Sequence, residues 1–336
     1  IPASVFETLT KVTNTNLKPL HRWAKIKKEK MGLKELHPFD AFVTLSPLPN
    51  KKVTFDEGKE IVLKALTPLG ADYVNGLKTA FENRWIDVHE TRGKKGGAYN
   101  SGATKGTHSY VLLNWNNSLD DVMTLAHELG HCMHSTLTEK TQPYVYNNHS
   151  IFLAEIASTT NELLVMKYLT DQALTPEEKR ALIEQELSGI QTTFYRQTQF
   201  AEFEKTVLTK TEQGEIMTAD KLNSTFGALY KRFWGPEMIL DKEEAGSWAR
   251  IPHFYNHYYV YQYATGLSAA YAFVDVLLKE GQPAVNRYLE LLSAGESDYP
   301  INVLKKAGVD MTTDKPELAV VKRMNGLLDE LEKIKK

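Results

Sequence analysis

The sequence predicts a mainly α-helical protein with one small β-sheet next to the helix that carries its most distinctive motif. Apolar residues recur at helical spacing along most of the 336 residues, whereas the predicted strands are few and cluster between Trp85 and Asn114. No internal repeat and no low-complexity linker interrupts the chain. We therefore expect residues 1–336 to form a single region rather than several domains.

The predicted elements follow from apolar periodicity and from residues that begin or interrupt helices. The first periodic segment covers 5–31, and Pro38 with the 45–50 stretch then breaks the pattern. Further helices are predicted at 54–66, 69–83, 176–208 (as one or two helices), 220–234, 258–280, 282–294, 301–307 and 315–335. Segment 110–114 is predicted to be a strand that leads into the motif helix, and at a sheet edge it could pair with an extended peptide.

The motif is His127-Glu128-Leu129-Gly130-His131, on a segment that Ser118 is expected to cap. Histidines at positions i and i+4 share one helical face and can both reach a single Zn²⁺. Glu128 leaves the helix about 100° away from the first histidine, so it flanks the metal rather than binding it. A general base for a metal-bound water belongs at that position.

A zinc hydrolase needs a third ligand, and the best candidate lies on the next predicted helix. Glu155, Ser158 and Glu162 fall at i, i+3 and i+7 on one face. We expect Glu155 to bind the metal and a carboxylate two turns on to hold a ligand histidine by its free N–H. His134 follows the motif on the same helix, and we interpret it as a residue behind the ligands or a surface histidine.

A tyrosine-rich run at 253–263 is the other unusual feature. A stripe that serves packing alone more often uses Leu or Phe, because a buried phenol needs a partner for its O–H. Phenol and imidazole donors are typical stabilisers of the negative charge that develops on a carbonyl oxygen during peptide hydrolysis. Tyr258 and Tyr261 lie at i and i+3 and can converge if the run is helical.

Together these runs resemble the oligoendopeptidase F proteins of the thimet-oligopeptidase-like zinc metallopeptidases. The resemblance rests on the motif at 127–131, on Glu155, Ser158 and Glu162, on 110–116, and on 250–266. It implies a multi-helix zincin-type catalytic domain with one Zn²⁺ per chain, bound by His127, His131 and Glu155. It also implies catalytic roles for a histidine and for tyrosines of the 253–263 run.

Within that run the assignment stays open between several residues. We favour Tyr261 and His253, then Tyr258, and His257 is an alternative to His253. The likeness covers what corresponds to the C-terminal two thirds of a family member. It therefore implies a further N-terminal helical lobe, absent from this chain, which starts at Ile1 and Pro2 without a methionine. We expect the chain to be a fragment with its own missing N-terminal segment as one partner.

Composition narrows the remaining classes. The formal net charge of −2 does not indicate nucleic-acid binding, which usually requires an excess of basic residues. No apolar run is long enough to span a membrane. The one cysteine, Cys132, excludes an internal disulfide, and we expect a cytoplasmic enzyme. The sequence thus predicts a zinc-dependent endopeptidase that hydrolyses short peptides, with Glu128 as general base. A binding protein with a structural zinc is the rival, although structural sites normally have four Cys or His ligands.

Overall fold

The computed structural model describes residues 1–46, 52–173 and 175–334. Within these ranges the chain is mainly helical with one three-stranded sheet, as predicted. Of the predicted break at 45–50, residues 47–50 lie outside the described residues, as does position 335 of the last predicted helix. No helix in the described ranges is both long and apolar enough to cross a bilayer.

The helices begin and end close to the predicted limits. They are α1 Ala3–Thr15, α2 Lys18–Lys30, α3 Phe55–Ala65, α4 Ala71–Glu82, α5 Leu119–Thr141, α6 Ile151–Gln172, α7 Pro176–Ile190, α8 Arg196–Glu212, α9 Ala219–Trp234, α10 Lys242–Ala245, α11 Tyr261–Glu280, α12 Gln282–Leu292, α13 Pro300–Lys306 and α14 Lys315–Lys333. A π-helical turn, Gln191–Tyr195, separates α7 from α8. The segment predicted as continuous at 5–31 is two helices.

The described chain divides into two compact units. Unit 1 contains Leu48–Leu174 and Ala269–Met311, together with Ile1. Unit 2 contains Pro2–Pro47, Thr175–Ser268 and Thr312–Lys336.

Unit 1 contains the sheet, whose strands are β1 Ile86–Asp87, β2 Tyr99–Ser101 and β3 Tyr110–Leu112. β3 lies in the middle, parallel to β1 and antiparallel to β2. The expectation that the strand at 110–114 forms the sheet edge is therefore wrong, because both of its sides already carry ladder hydrogen bonds. Of the described strands, β1 and β2 form the edges.

The motif helix α5 begins with a capping box. The Ser118 hydroxyl accepts a hydrogen bond from the Asp121 amide, and the Asp121 carboxylate accepts one from the Ser118 amide at 2.8 Å. This pairing satisfies two amides that have no partner inside the helix. Val122, Leu125, Ala126 and Leu129 are fully buried, so one side of α5 is fixed in the core of unit 1.

The core of unit 2 is aromatic and contains a few deeply buried polar groups. Trp23 is fully buried, and its indole N–H donates to Gln191 Oε1 at 2.9 Å, within the π-helical turn. The Glu184 carboxylate accepts hydrogen bonds from the amides of Leu45 and Ser46. These contacts connect α2 to the π turn, and α7 to the segment at Leu45 and Ser46.

Candidate active site

Three side-chain atoms of the kinds that bind metals converge on one point of unit 1. The His127 and His131 Nε2 atoms are 3.1 Å apart, and Glu155 Oε2 lies 3.5 Å and 3.6 Å from them. Nitrogens bound to zinc at about 2.0–2.1 Å in a tetrahedron are about 3.3–3.4 Å apart. The two imidazoles and the carboxylate therefore fit a single tetrahedral cation in both donor type and spacing. All three side chains are partly exposed.

Close packing between α5 and α6 brings the carboxylate to the histidines. A Cβ added to Gly130 would lie 2.5 Å from Ser158 Cα and 2.7 Å from the Ala157 carbonyl oxygen. No side chain fits there, so the glycine inside the motif allows the two helix backbones to touch. One turn before Gly130 on α5, the buried Asn161 of α6 donates a hydrogen bond to the Ala126 carbonyl at 3.1 Å. This bond also holds the two helices together.

Two further carboxylates on α6 and α5 surround these atoms. His127 Nδ1 lies 2.6 Å from Glu162 Oε1, so the predicted contact between a motif histidine and a second carboxylate is confirmed. It directs Nε2 of the same ring toward His131 and Glu155. On the same face of α6, Ser158 donates to Glu155 Oε2 at 3.0 Å. Glu128 is buried, and within the described chain its Oε2 has no hydrogen-bond partner.

Burial lowers the pKa of both motif histidines, but the neighbouring charged groups give them opposite net shifts. Burial alone lowers the pKa of His127, but the hydrogen bond to Glu162 and the nearby carboxylates outweigh it, so the net pKa is raised. Burial, followed by the charge of His127, lowers the pKa of His131 to about 4. Burial raises the pKa of Glu128, and the negative charges of Glu155 and Glu162 act in the same direction.

The structure excludes one of the two environments predicted for His134. This residue is fully buried rather than exposed, and its ring stacks on His149 at 3.8 Å between centroids. Burial therefore holds the pKa of His134 well below its usual range. The interpretation of His134 as a surface histidine is wrong, because α5 turns this residue into the core of unit 1.

The tyrosine-rich run lies in unit 2 and becomes α-helical only at Tyr261, although Pro252–Tyr255 forms a short 3-10 helix. Tyr258 has a left-handed backbone with φ 52°, so the prediction of a helix from position 258 is wrong. Its amide instead donates to Glu204 Oε1 at 2.7 Å. The Glu204 side chain is buried, which raises its pKa, although the Tyr258 amide partly offsets the effect. The sequence analysis missed Glu204. Nothing in the sequence pattern of α8 distinguishes this buried carboxylate from an exposed one.

The favoured residues of the run belong to two aromatic clusters. Tyr258 and Tyr261 both contact the Phe6 ring, at 5.8 Å and 5.6 Å between centroids. His253 instead contacts the rings of Tyr259 and Tyr263. Tyr258 is 40% exposed, whereas Tyr261 is only 9% exposed and its burial raises its pKa. The helical convergence expected for Tyr258 and Tyr261 is replaced by a shared contact with Phe6.

Comparison with known proteins identifies the family. A model of peptidase family M3 matches residues 1–322. The chain belongs to peptidase family M3. The predicted resemblance to oligoendopeptidase F is thereby confirmed, and so is the mainly helical fold class.

Individual M3 relatives are similar over nearly the whole chain. The chain is 47% identical over 334 residues to Oligopeptidase PepF of Bacillus subtilis (strain 168). This alignment covers 99% of the chain and 50% of the relative. The solved structure of oligoendopeptidase-F from Enterococcus faecium matches with a TM-score of 0.79 at 35% identity, over 99% of this chain and 53% of that one. A solved structure from Chlamydophila abortus gives a TM-score of 0.93 at 38% identity, over 100% and 56%.

The chain spans about half the length of these M3 relatives rather than the predicted two thirds.

Proposed function

We propose that this chain carries the active site of a zinc-dependent endopeptidase that hydrolyses short peptides. The observation that carries the proposal is the convergence of His127, His131 and Glu155 beside the buried carboxylate of Glu128. Membership of peptidase family M3 supports the peptidase class, and the names of its relatives support oligopeptide substrates.

The His127, His131 and Glu155 side chains would hold one Zn²⁺ per chain. When bound, the ion supplies a Lewis acid that acidifies water and polarises the scissile carbonyl. Glu162 keeps the His127 ring oriented through the contact at Nδ1. Two imidazoles and one carboxylate are a donor set typical of catalytic rather than structural zinc.

Glu128 would act as the general base. Its Oε2 atom is buried and has no partner in the described chain, so it is available to take a proton from the attacking water. The carboxylic acid formed in this way can then deliver the proton to the leaving amine. Burial raises the pKa of Glu128, which strengthens the carboxylate as a base.

Hydrogen-bond donors for the carbonyl oxygen would come from the tyrosine-rich run. We propose Tyr261, Tyr258 and His253 for this role, because phenol and imidazole N–H or O–H groups stabilise developing negative charge. For an extended substrate we propose the outer side of β2 in place of β3. β2 is an edge of the described sheet, and its backbone can pair with a peptide.

The test combines metal content with turnover of a quenched peptide. Wild type loaded with one equivalent of zinc should cleave the peptide, and a chelator should abolish cleavage. Glu128→Gln should keep the zinc stoichiometry and lose turnover, because this carboxylate acts on water and not on the metal. Glu139→Gln on the same helix is the matched control and should behave as wild type. Near-normal cleavage by Glu128→Gln would contradict the assignment, and a zinc-loaded wild type without any peptidase activity would favour a binding protein. The cytoplasmic location stays a prediction.

A further inference from the structure

Glu204 on α8 is a buried carboxylate that takes no part in the proposed proton transfer or metal binding. Its side chain is 6% exposed, and its Oε1 accepts a hydrogen bond from the Tyr258 amide at 2.7 Å. The other oxygen, Oε2, is buried and has no hydrogen-bond partner among the described residues. A carboxylate that loses its hydration and gains one neutral donor is costly to bury. An apolar residue would pack here at a lower cost, so the bond to Tyr258 is what distinguishes this acid.

The backbone of Tyr258 is bound by side chains rather than by a helix or a strand. Its amide donates to Glu204, and its carbonyl accepts from Gln262 Nε2 at 3.1 Å. Between these two bonds the residue has a left-handed backbone with φ 52°, which an aromatic residue adopts only at a cost in free energy. Such a conformation persists where the surrounding contacts fix it. Glu204 supplies the shorter of the two bonds that do so.

The left-handed backbone also sets the direction in which the Tyr258 side chain leaves the chain. If Tyr258 adopted the helical conformation, its φ would change by about 115°, from 52° to about −63°. In the structure the ring meets the edge of Phe6, at 5.8 Å between centroids and 87° between ring planes, and it stays 40% exposed. The phenol is therefore fixed at its backbone and at one aromatic contact, while part of its surface is free to meet a ligand.

We infer that Glu204 is a positioning residue of the proposed peptidase. It binds the Tyr258 amide and thereby directs the Tyr258 phenol toward the carbonyl oxygen of the cleaved bond. The inference rests on the proposed function, in which Tyr258 is one of the donors to that oxygen. Glu204 touches neither substrate nor metal in this role, so its effect on the rate passes through Tyr258. Misplacement of a catalytic group by about 1 Å can cost about 10²-fold in rate.

Three substitutions at position 204 separate the acceptor oxygen from its charge. Glu204→Gln keeps an acceptor at the same reach without the charge, and kcat should stay close to that of wild type. Glu204→Asp keeps the charge but withdraws it by one C–C bond, about 1.5 Å, and Glu204→Met removes both. Both should lower kcat on the quenched peptide by about 10–100-fold with little change in KM, because the phenol acts mainly in the transition state. Glu212→Met, at the exposed end of α8, is the matched control and should leave kcat unchanged.

A double-mutant cycle tests whether Glu204 acts through the phenol. Tyr258→Phe alone should lower kcat by about 10²–10³-fold. Adding Glu204→Met should cost little more, because the hydroxyl that Glu204 directs is already absent. Losses that multiply would overturn the inference, because they would show a general effect on the fold. So would a Glu204→Asp protein that keeps kcat while Glu204→Gln loses it. If Glu204→Met does not fold, Glu204→Asp takes its place in the cycle.

Amide exchange in the metal-free protein separates failure of the positioning role from failure of the proposed function. Exchange at the Tyr258 amide should be at least about tenfold faster in Glu204→Met and Glu204→Asp, but not in Glu204→Gln. If exchange responds in this way but the zinc-loaded wild type cleaves no peptide, Glu204 fixes Tyr258 and the proposed function fails. If wild type cleaves the peptide and Glu204→Met leaves exchange at Tyr258 or kcat unchanged, the proposed function stands and the positioning role fails. Unchanged exchange without any cleavage would contradict both.

Discussion

Gly130→Ala tests whether the contact between α5 and α6 sets the metal geometry. An added Cβ would lie 2.5 Å from Ser158 Cα, and ordinary contact begins at 3.4 Å. The atoms in the way belong to the α6 backbone, so this helix has to move by about 0.9 Å, the difference between the two distances. Glu155 lies one turn before Ser158 on the same helix and moves with it.

A shift of this size exceeds what a metal site tolerates. Ligand distances in zinc sites hold to about ±0.2 Å, so a 0.9 Å displacement removes Glu155 from productive contact. We expect zinc affinity to fall by at least about 10–100-fold, the loss associated with disturbing a ligand's support. Overpacking costs about 1–3 kcal/mol, and the better helix propensity of alanine returns about 1 kcal/mol. A small decrease in the free energy of unfolding of the metal-free protein should therefore accompany the loss of affinity.

The assay is competition for zinc with a chromogenic chelator, together with thermal unfolding of the metal-free protein. Gly189→Ala in α7 and Gly326→Ala in α14 are matched controls, because nothing lies within 4 Å of a Cβ added at either position. Both should bind zinc normally and gain up to about 1 kcal/mol in the free energy of unfolding. A Gly130→Ala protein that binds zinc as tightly as wild type would refute the reasoning.

The remaining predictions concern single carboxylates and one phenol. Glu155→Ala should lose much of its zinc affinity, whereas Glu162→Ala should weaken it by about 10–100-fold; equal affinity of Glu155→Ala and wild type would place the third ligand elsewhere. Tyr261→Phe should lower kcat by about 10²–10³ with little change in KM, and an effect confined to KM would assign Tyr261 to substrate binding instead. Glu317 is fully buried, and burial raises its pKa to about 7. Folding therefore takes up a proton between pH 4.5 and 7, so this residue favours the folded state most at low pH and its stabilisation is lost as pH rises through 7. Glu317→Gln should remove that dependence. The free energy of unfolding of the variant, relative to that of wild type, should therefore rise by up to about 3 kcal/mol between pH 4.5 and pH 8. A difference that does not change with pH would contradict the raised pKa.

Local signals predicted much of the fold and the proximity of His127, His131 and Glu155. The cap of α5 depends on Ser118 and Asp121, which are three residues apart, and the two motif histidines share a face by helix periodicity alone. Glu155 came from the helical face that it shares with Ser158 and Glu162, supported by the family resemblance. Each of these inferences needs only residues on one helix or a known family spacing.

Non-local contacts explain what the sequence did not predict. Tyr258 looks helical in an aromatic run, but its amide is bound by Glu204, 54 residues earlier in the chain. The position of β3 between two other strands depends on pairing order, which alternation of residue types does not encode. The role of Gly130 likewise requires the position of the α6 backbone. In each case the deciding contact comes from a part of the chain that is distant in sequence.

The helix contact at Gly130 also has a thermodynamic consequence. The three candidate ligands all lie in Leu48–Leu174 of unit 1, on α5 and α6. A cation that binds only when these helices touch stabilises that state by mass action, by about 2.7 kcal/mol at a free concentration 100 times its Kd. At the proposed zinc site, the free zinc concentration would set how often α5 and α6 separate, and withdrawal of the metal should first accelerate amide exchange in these two helices.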